Sequence, residues 1–365
     1  MKKRTCCLFL LCLCILPLFS LTAKAETQSE SEIDGYVSEF FNAMPEEIAD
    51  AYEEDRLSEM ADLSHLLSFL LDIGESSGVR ELIFSVMGLL LLFALASLLA
   101  PEGFGSEAER GVLIIAACVL FRTVNGVALR AGDYLSDLTT LSNAAVPAMS
   151  AITAAAGGVT SASAMANGMA WFLLVLQNVA FSCLLPLSRI SFGFSAVSVF
   201  SEKLSVSALG GTLRRTYMVL LGFLSALLLF SLSAQTTLAA AADSLAKRTA
   251  GYAIGSFLPV VGGTVSAALG TAMGAVSAIA STVGTGGAIA VLCLLLPLLL
   301  ELLLLRTAFS LASGAGSMLG TQKGAALFAE MRGVTDMIFA GVAIPSLVFL
   351  LITAVFARTV SGIAL

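Results

Sequence analysis

Long apolar runs constrain this chain more than any other feature. Segments 82–100, 111–129, 162–187, 217–242, 288–305 and 334–356 each approach the roughly 20 apolar residues with which a helix crosses a bilayer. Of the 365 residues, 58% are hydrophobic and only 12% are charged. Because backbone in lipid must satisfy its own hydrogen bonds, these runs predict helices. The predicted fold class is therefore all-α, a polytopic integral membrane helical bundle.

The first 25 residues have the layout of a secretory signal peptide. A basic start at 2–4 precedes an apolar stretch, and residues 23–25 (Ala-Lys-Ala) match a small-x-small cleavage site. An uncleaved first span is the alternative reading. The apolar stretch is short for a span, however, and acidic sequence follows it directly. We therefore predict a signal peptide at 1–25 and a mature N-terminus on the exported side.

Segment 26–81 differs in charge from the rest of the chain. It has 16 acidic and two basic residues, whereas 82–365 has 13 basic and 10 acidic ones. Its Ile33, Val37 and Phe40 recur at helical spacing, which predicts a small exported region of amphipathic helices. Residues 82–365 form the predicted multi-span transmembrane domain, in contact with the lipid bilayer. The sequence has no basic patch typical of nucleic-acid binding.

Loop charge predicts the topology of the spans. The predicted loops 188–216 and 306–332 carry net charges of +3 and +2, which places both in the cytoplasm by the positive-inside rule. Both loops can lie in the cytoplasm if segment 253–283 is a re-entrant or hairpin element, which returns to the side of the membrane from which it started. Segment 138–158 is weakly apolar, and it is either a short span or a helix lying along the others.

Segment 247–263, KRTAGYAIGSFLPVVGG, is unlike an ordinary span. Proline breaks or kinks a helix, and paired glycines let a chain turn without a clash at Cβ. The segment therefore predicts the turn of the hairpin, either as part of a pore or as a packing corner. The residues predicted to form this turn or to flank it are Lys247, Tyr252, Gly255, Phe257, Pro259, Gly262 and Gly263.

A few polar side chains interrupt the apolar runs, namely Arg122, Asn125, Gln177, Asn178 and Glu301. Such residues are costly in lipid, so they face a bundle interior or a water-filled path. They define a predicted intramembrane polar path, with structural pairing as the alternative role. Arg122 and Glu301 form one predicted pair.

The sequence lacks the catalytic motifs that are typical of enzymes. P-loop, HExxH and GxSxG motifs are all missing from it. The cysteines beyond residue 25 are Cys118, Cys183 and Cys293, an odd and scattered set that suits neither a disulfide framework nor a metal site. We predict that the protein is not an enzyme and uses no cofactor or metal.

The residues YAIG at 252–255 and FLPVVGG at 257–263, preceded by Lys247, resemble the most characteristic segment of the stage III sporulation protein AE family. The layout of an exported acidic start and a polytopic body is also similar. The resemblance implies a membrane subunit of a sporulation-specific transenvelope channel complex, likened to secretion systems and required for forespore development.

This resemblance also implies a location and partners. The location is the mother-cell membrane around the forespore. The partners are the other stage III A-group proteins, including a secretion-type ATPase and ring-forming proteins, and forespore protein Q. Two alternatives stay open: a stand-alone small-solute permease with its site at the 252–263 break, and a non-conducting membrane scaffold.

Overall fold

The computed structural model of the chain describes residues 30–44, 88, 105–200, 207–257, 262–318 and 320–364. The helices are α1 (Glu30–Asn42), α2 (Gly105–Ala155), α3 (Val159–Val175), a π-helical turn (Leu176–Phe181), α4 (Ser182–Phe200), α5 (Ser207–Phe257), α6 (Gly262–Met318) and α7 (Gln322–Ala364). The described residues contain no strand. The predicted all-α fold is confirmed.

Among the described residues, five stretches of helix are long and apolar enough to cross a membrane. They are Gly111–Ala155, Val159–Phe200, Ser207–Ala246, Val276–Met318 and Gln322–Val360. Each is about twice the roughly 20 residues that a bilayer requires, so the helices extend beyond the hydrocarbon core. The chain is a multi-pass helical bundle.

Helix α7 occupies the centre of this bundle. It packs against α2, α4, α5 and α6, and α6 is its most extensive partner. Its completely buried apolar side chains are Leu327, Phe328, Met331, Val334, Met337, Ile338, Val342, Phe349, Ile352, Phe356 and Val360. Large apolar side chains along most of α7 therefore fill the interior of the bundle.

Contacts between helices show that successive long helices run in opposite directions. Arg214 near the start of α5 bonds Glu330 near the start of α7, while Asp243 near the other end of α5 bonds the first turn of α3. We call the end where α4 and α6 finish the Thr321 end. The end where α2 finishes and α3 begins is the Gly157 end.

The helices extend well past the predicted spans. The predicted segments 111–129 and 138–158 belong to the single helix α2, and most of the predicted loop 188–216 is helical in α4 and α5. The predicted polar loop 306–332 is likewise helical apart from a turn near Gly320. These loop predictions are wrong because the polar side chains pair between helices. Segment 1–25 lies outside the described residues, as does segment 82–100 except for Gly88.

The chain reverses direction between α5 and α6. Helix α5 ends at Phe257 and α6 begins at Gly262, so the break coincides with the predicted turn. Pro259 itself lies outside the described residues. Helix α6 then continues without interruption to Met318, so no boundary separates the predicted element 253–283 from the predicted span 288–305. Its entry into the bilayer stays a prediction.

Helix α1 is seated in the bundle by two phenylalanines. Phe40 and Phe41 are almost completely buried. A Cβ added at Gly286 of α6 would lie 2.8 Å from the ring of Phe41, and one at Gly287 would lie 3.1 Å from the ring of Phe40. The two adjacent glycines therefore form a notch that receives α1, while Asp34 and Glu39 stay exposed.

Candidate functional site

An ion pair joins α2 to α6 in the middle of the bundle. Arg130 Nε donates to Glu301 Oε2 at 3.0 Å, and Arg130 Nη2 also contacts Glu301 Oε1. The Arg130 side chain is 55% exposed, whereas that of Glu301 is 16% exposed. The predicted pairing of Glu301 with Arg122 is therefore wrong. Arg122 lies about two turns away along α2, where it is exposed.

The depth of this ion pair follows from its neighbours. Glu301 lies within LLLPLLLELLLL, part of the most hydrophobic candidate span of the described chain. One turn beyond Arg130, the Tyr134 hydroxyl lies 2.5 Å from the Ser346 hydroxyl, inside the apolar stretch of α7. The middle of α2 is therefore level with the apolar centres of α6 and α7.

At this depth α2 presents a polar surface, which we call the polar face of α2. It comprises the exposed residues Arg122, Leu129, Arg130, Asp133, Ser136, Asp137, Thr140 and Asn143. Only one of these eight is apolar. A charged residue at the centre of a bilayer costs about 3 kcal/mol on insertion scales, so Arg130, Asp133 and Asp137 facing lipid would together cost on the order of 10 kcal/mol.

The other residues of the predicted path do not meet in one cavity. Asn125 Oδ1 accepts from Arg189 Nε at 3.0 Å, which joins α2 to α4. Gln177 and Asn178 lie in the π-helical turn and are exposed, and Asn178 Nδ2 donates to the carbonyl of Leu174 at 2.9 Å. The structure thus pairs Asn125 and Glu301 with arginines rather than with one another.

The π-helical turn interrupts the long helix formed by α3 and α4. Ser182 Oγ donates to the carbonyl of Gln177 at 2.7 Å, and Cys183 Sγ donates to that of Asn178 at 3.2 Å. These side chains satisfy carbonyls five residues back, and Pro186 follows in the next turn of α4. The π-helical turn was not predicted from the sequence, although Pro186 could have indicated an irregular helix there.

A second ionic cluster lies near the Thr321 end and joins α4, α5 and α7. Arg214 Nη2 donates to Glu330 Oε2 at 2.7 Å, and Ser195 Oγ donates to the same oxygen at 3.0 Å. The Arg214 side chain is only 9% exposed. Sequence reasoning missed this cluster because it assigned Arg214 and Glu330 to loops.

A third ionic contact joins α6 to α7 at the surface. Arg306 Nε lies 2.8 Å from Asp336 Oδ1, and Arg332 lies 3.9 Å from the other oxygen of that carboxylate. Both arginines are nearly half exposed. The described residues contain no group of three or more His, Cys, Asp or Glu side chains that would hold a metal ion.

The residues of the predicted turn occupy the ends of two helices. Lys247, Tyr252, Gly255 and Phe257 lie in the last turns of α5. Gly262 and Gly263 form the start of α6. The backbone therefore places these residues on the two sides of the reversal between α5 and α6.

Five membrane-length helices around a filled centre define a multi-pass helical membrane protein. The family model described as Stage III sporulation protein AE matches residues 53–359, most of the chain. The chain belongs to the Stage III sporulation protein AE family, as the resemblance of segment 252–263 predicted.

One relative supports this assignment at the level of sequence identity. Stage III sporulation protein AE of Bacillus subtilis (strain 168) is 29% identical over 245 residues, which cover 66% of this chain and 59% of that protein. The similarity thus spans less than two thirds of the relative's length. No solved structure matches this chain.

Proposed function

We propose that this protein is a non-enzymatic membrane subunit of a transenvelope channel complex between the mother cell and the forespore. Family membership supports the sporulation process, and the membrane-length helices support the location in a membrane. The proposed location is the mother-cell membrane around the forespore. The proposed partners are the other stage III A-group proteins, including a secretion-type ATPase and ring-forming proteins, and forespore protein Q.

The observation that carries this proposal is the filled centre of the bundle. The buried apolar side chains of α7 occupy the position that a solute path through a single copy would need. A stand-alone permease would place its substrate site among such helices, near the bilayer midplane. The charged side chains at midplane depth instead lie on the outer surface of α2. A conduit shared between subunits accounts for both features.

Charge supports an orientation for the subunit. Arg214, Arg215, Lys323 and Arg332 lie near the Thr321 end. By the positive-inside rule this end faces the mother-cell cytoplasm, where an ATPase has access to ATP. Helix α1, with Asp34 exposed, then lies toward the exported side, in agreement with a cleaved signal peptide.

Purification and reconstitution test the proposal. The tagged full-length chain, extracted in mild detergent from sporulating cells, is expected to co-purify with the A-group proteins. Proteoliposomes that contain the chain alone are expected to stay impermeable to a panel of small hydrophilic dyes and amino acids. Saturable uptake by the chain alone would favour the permease. An assembled complex that passes none of these solutes would favour the scaffold.

A further inference from the structure

We propose that the polar face of α2 lines a water-filled path across the bilayer, along which hydrophilic solutes or ions pass. This inference rests on the proposed function, because the opposite wall of the path would belong to a neighbouring subunit.

The first support is the extent of the face. From Arg130 to Asn143 every exposed side chain of α2 is polar, over about 20 Å at 1.5 Å per residue. This is most of the roughly 30 Å hydrocarbon thickness of a bilayer. A surface of this length exceeds what a single buried ion pair or one interfacial anchor requires.

The second support is the contrast with the opposite side of the bundle. Helix α5 exposes Val219, Leu220, Phe223 and Phe230, of which Phe230 is 77% exposed. Such a surface suits lipid chains. At the level of residues 130–143 of α2, the bundle therefore presents an apolar face on α5 and a charged face on α2, as expected for a protein placed between lipid and water.

The apolar control surface lies at the same depth as the polar face. Leu232 of α5 packs on Gly168 of α3. One turn further along α3, the ring of Phe172 lies 6.2 Å from that of Phe349. Phe349 is in turn three residues beyond Ser346, the partner of Tyr134 in α2. Phe230 and Ser136 are therefore close to level, although they lie on different helices.

The third support is the sign of the charges along the face. Asp133 and Asp137 are four residues apart on one helical face, a spacing at which like charges repel. Their short side chains cannot reach the membrane surface, as those of lysine or arginine do. Interface cores between proteins are depleted of charge. Water hydrates both carboxylates without a dedicated partner.

Cysteine labelling tests the inference on the full chain in membranes from sporulating cells. Single cysteines replace Ser136 or Thr140 on the polar face, and Phe223 or Phe230 on α5 as matched controls. The background lacks native cysteines, with Cys183→Ser chosen because serine keeps the bond to the carbonyl of Asn178. A charged, membrane-impermeant thiol reagent is expected to label the α2 sites at least tenfold faster than the α5 sites.

Two labelling results would overturn the inference. Slow labelling at all four sites would mean that the polar face is covered by a dry protein contact. Fast labelling at all four would mean that this part of the bundle lies outside the bilayer. Co-purification of the A-group proteins from the same membranes reports separately on the proposed function. Selective labelling of α2 without those partners would overturn the proposed function and retain the water-lined face.

A charge variant gives a second, independent readout. With cysteine at Ser136, the two aspartates are expected to make a cationic thiol reagent react several-fold faster than an anionic one of similar size, because charged clefts concentrate ions of opposite sign. The double change Asp133→Asn and Asp137→Asn is expected to remove most of this preference. A ratio of rates that the double change leaves unaltered would contradict a water-filled path beside these carboxylates.

Discussion

The cluster of Arg214, Glu330 and Ser195 shows how one residue can determine the packing of three helices. Because the Arg214 side chain is buried, Glu330→Gln leaves a charge with little compensation. We expect a loss of about 3 kcal/mol in stability, the lower end for breaking a buried pair, because Glu330 is partly exposed. Thermal unfolding in detergent measures this loss.

The adjacent arginine supplies the matched control for this prediction. Arg215 is exposed, so Arg215→Gln is expected to change the unfolding temperature little, whereas Arg214→Gln lowers it clearly. Equal effects of the two substitutions would show that the cluster contributes nothing specific. The positive charge at this end of the bundle would then affect only the orientation in which the chain inserts into the membrane.

The pair between Arg130 and Glu301 predicts a specific energetic coupling. A double-mutant cycle with Arg130→Gln and Glu301→Gln is expected to give about 1 kcal/mol of interaction energy, since half of the arginine is exposed. The same cycle with Arg122→Gln in place of Arg130→Gln is expected to be additive. Coupling of Glu301 to Arg122 but not to Arg130 would restore the pairing that the sequence predicted.

At the scale of elements, a carboxylate from another helix caps the N-terminus of α3. Asp243 of α5 is buried and accepts from the backbone N–H groups of Thr160 at 3.1 Å and Ser161 at 2.8 Å. Gly158, at the N-cap position, makes no side-chain cap. Asp243 therefore caps α3 in trans, and its charge also suits the positive end of the helix dipole.

Asp243→Ala is expected to destabilise the start of α3 by about 1–2 kcal/mol, as the loss of an N-cap does. Hydrogen exchange at the backbone of residues 160–163 is the measurement, and it is expected to become faster. Ser244→Ala is the control, because Ser244 Oγ bonds only within α5, to the carbonyl of Ala241. Unchanged exchange in the Asp243 variant would mean that α3 needs no cap from α5.

The seating of α1 on α6 gives a second prediction at this scale. Gly286→Ala places a methyl group against the ring of Phe41 and is expected to cost about 1–3 kcal/mol through overpacking. Hydrogen exchange of residues 33–41 is then expected to accelerate. Gly314→Ala on the same helix meets open space and leaves α1 protected, and similar exchange in both variants would argue against the notch.

At the scale of the whole molecule, the apolar runs were enough to predict helices, because lipid leaves few other choices to a backbone. The ends of the helices were not predictable from hydropathy. Arg214 and Glu330 looked like loop residues, since nothing in the sequence shows that they meet across two helices. Whether Arg122 or Arg130 pairs with Glu301 was equally unpredictable from the sequence, because the pairing depends on how α2 is rotated against α6.

The family itself was predictable from a short segment, whereas the candidate site was not. Residues 252–263 are distinctive as a string of letters, so they identified the family without any knowledge of contacts. The polar face of α2 is visible only once burial separates exposed from packed positions. Asp133 and Asp137 were therefore absent from the predicted path, although they lie on the same helix as Arg122 and Asn125.

The direction of the helices predicts which side of the membrane each connection faces. Helix α5 runs from the Thr321 end to the Gly157 end, so cysteines at Ala208 and Thr249, both exposed and about 62 Å apart along the helix, are expected to label from opposite sides. By the positive-inside rule, Ala208→Cys and Gln322→Cys label from the cytoplasm. Val159→Cys and Thr249→Cys label from the exported side.

Helix α6 makes this topology consistent with the loop charges. Because it is continuous from Gly262 to Met318, one inward crossing brings the chain from the Gly157 end back to the basic Thr321 end. Labelling of Gln322→Cys and Thr249→Cys from the same side would contradict that crossing. If Ala208→Cys and Gln322→Cys instead label from the exported side, and Val159→Cys and Thr249→Cys from the cytoplasm, the fold is retained and its orientation in the membrane is reversed. The proposed ATPase partner would in that case contact the Gly157 end of the bundle.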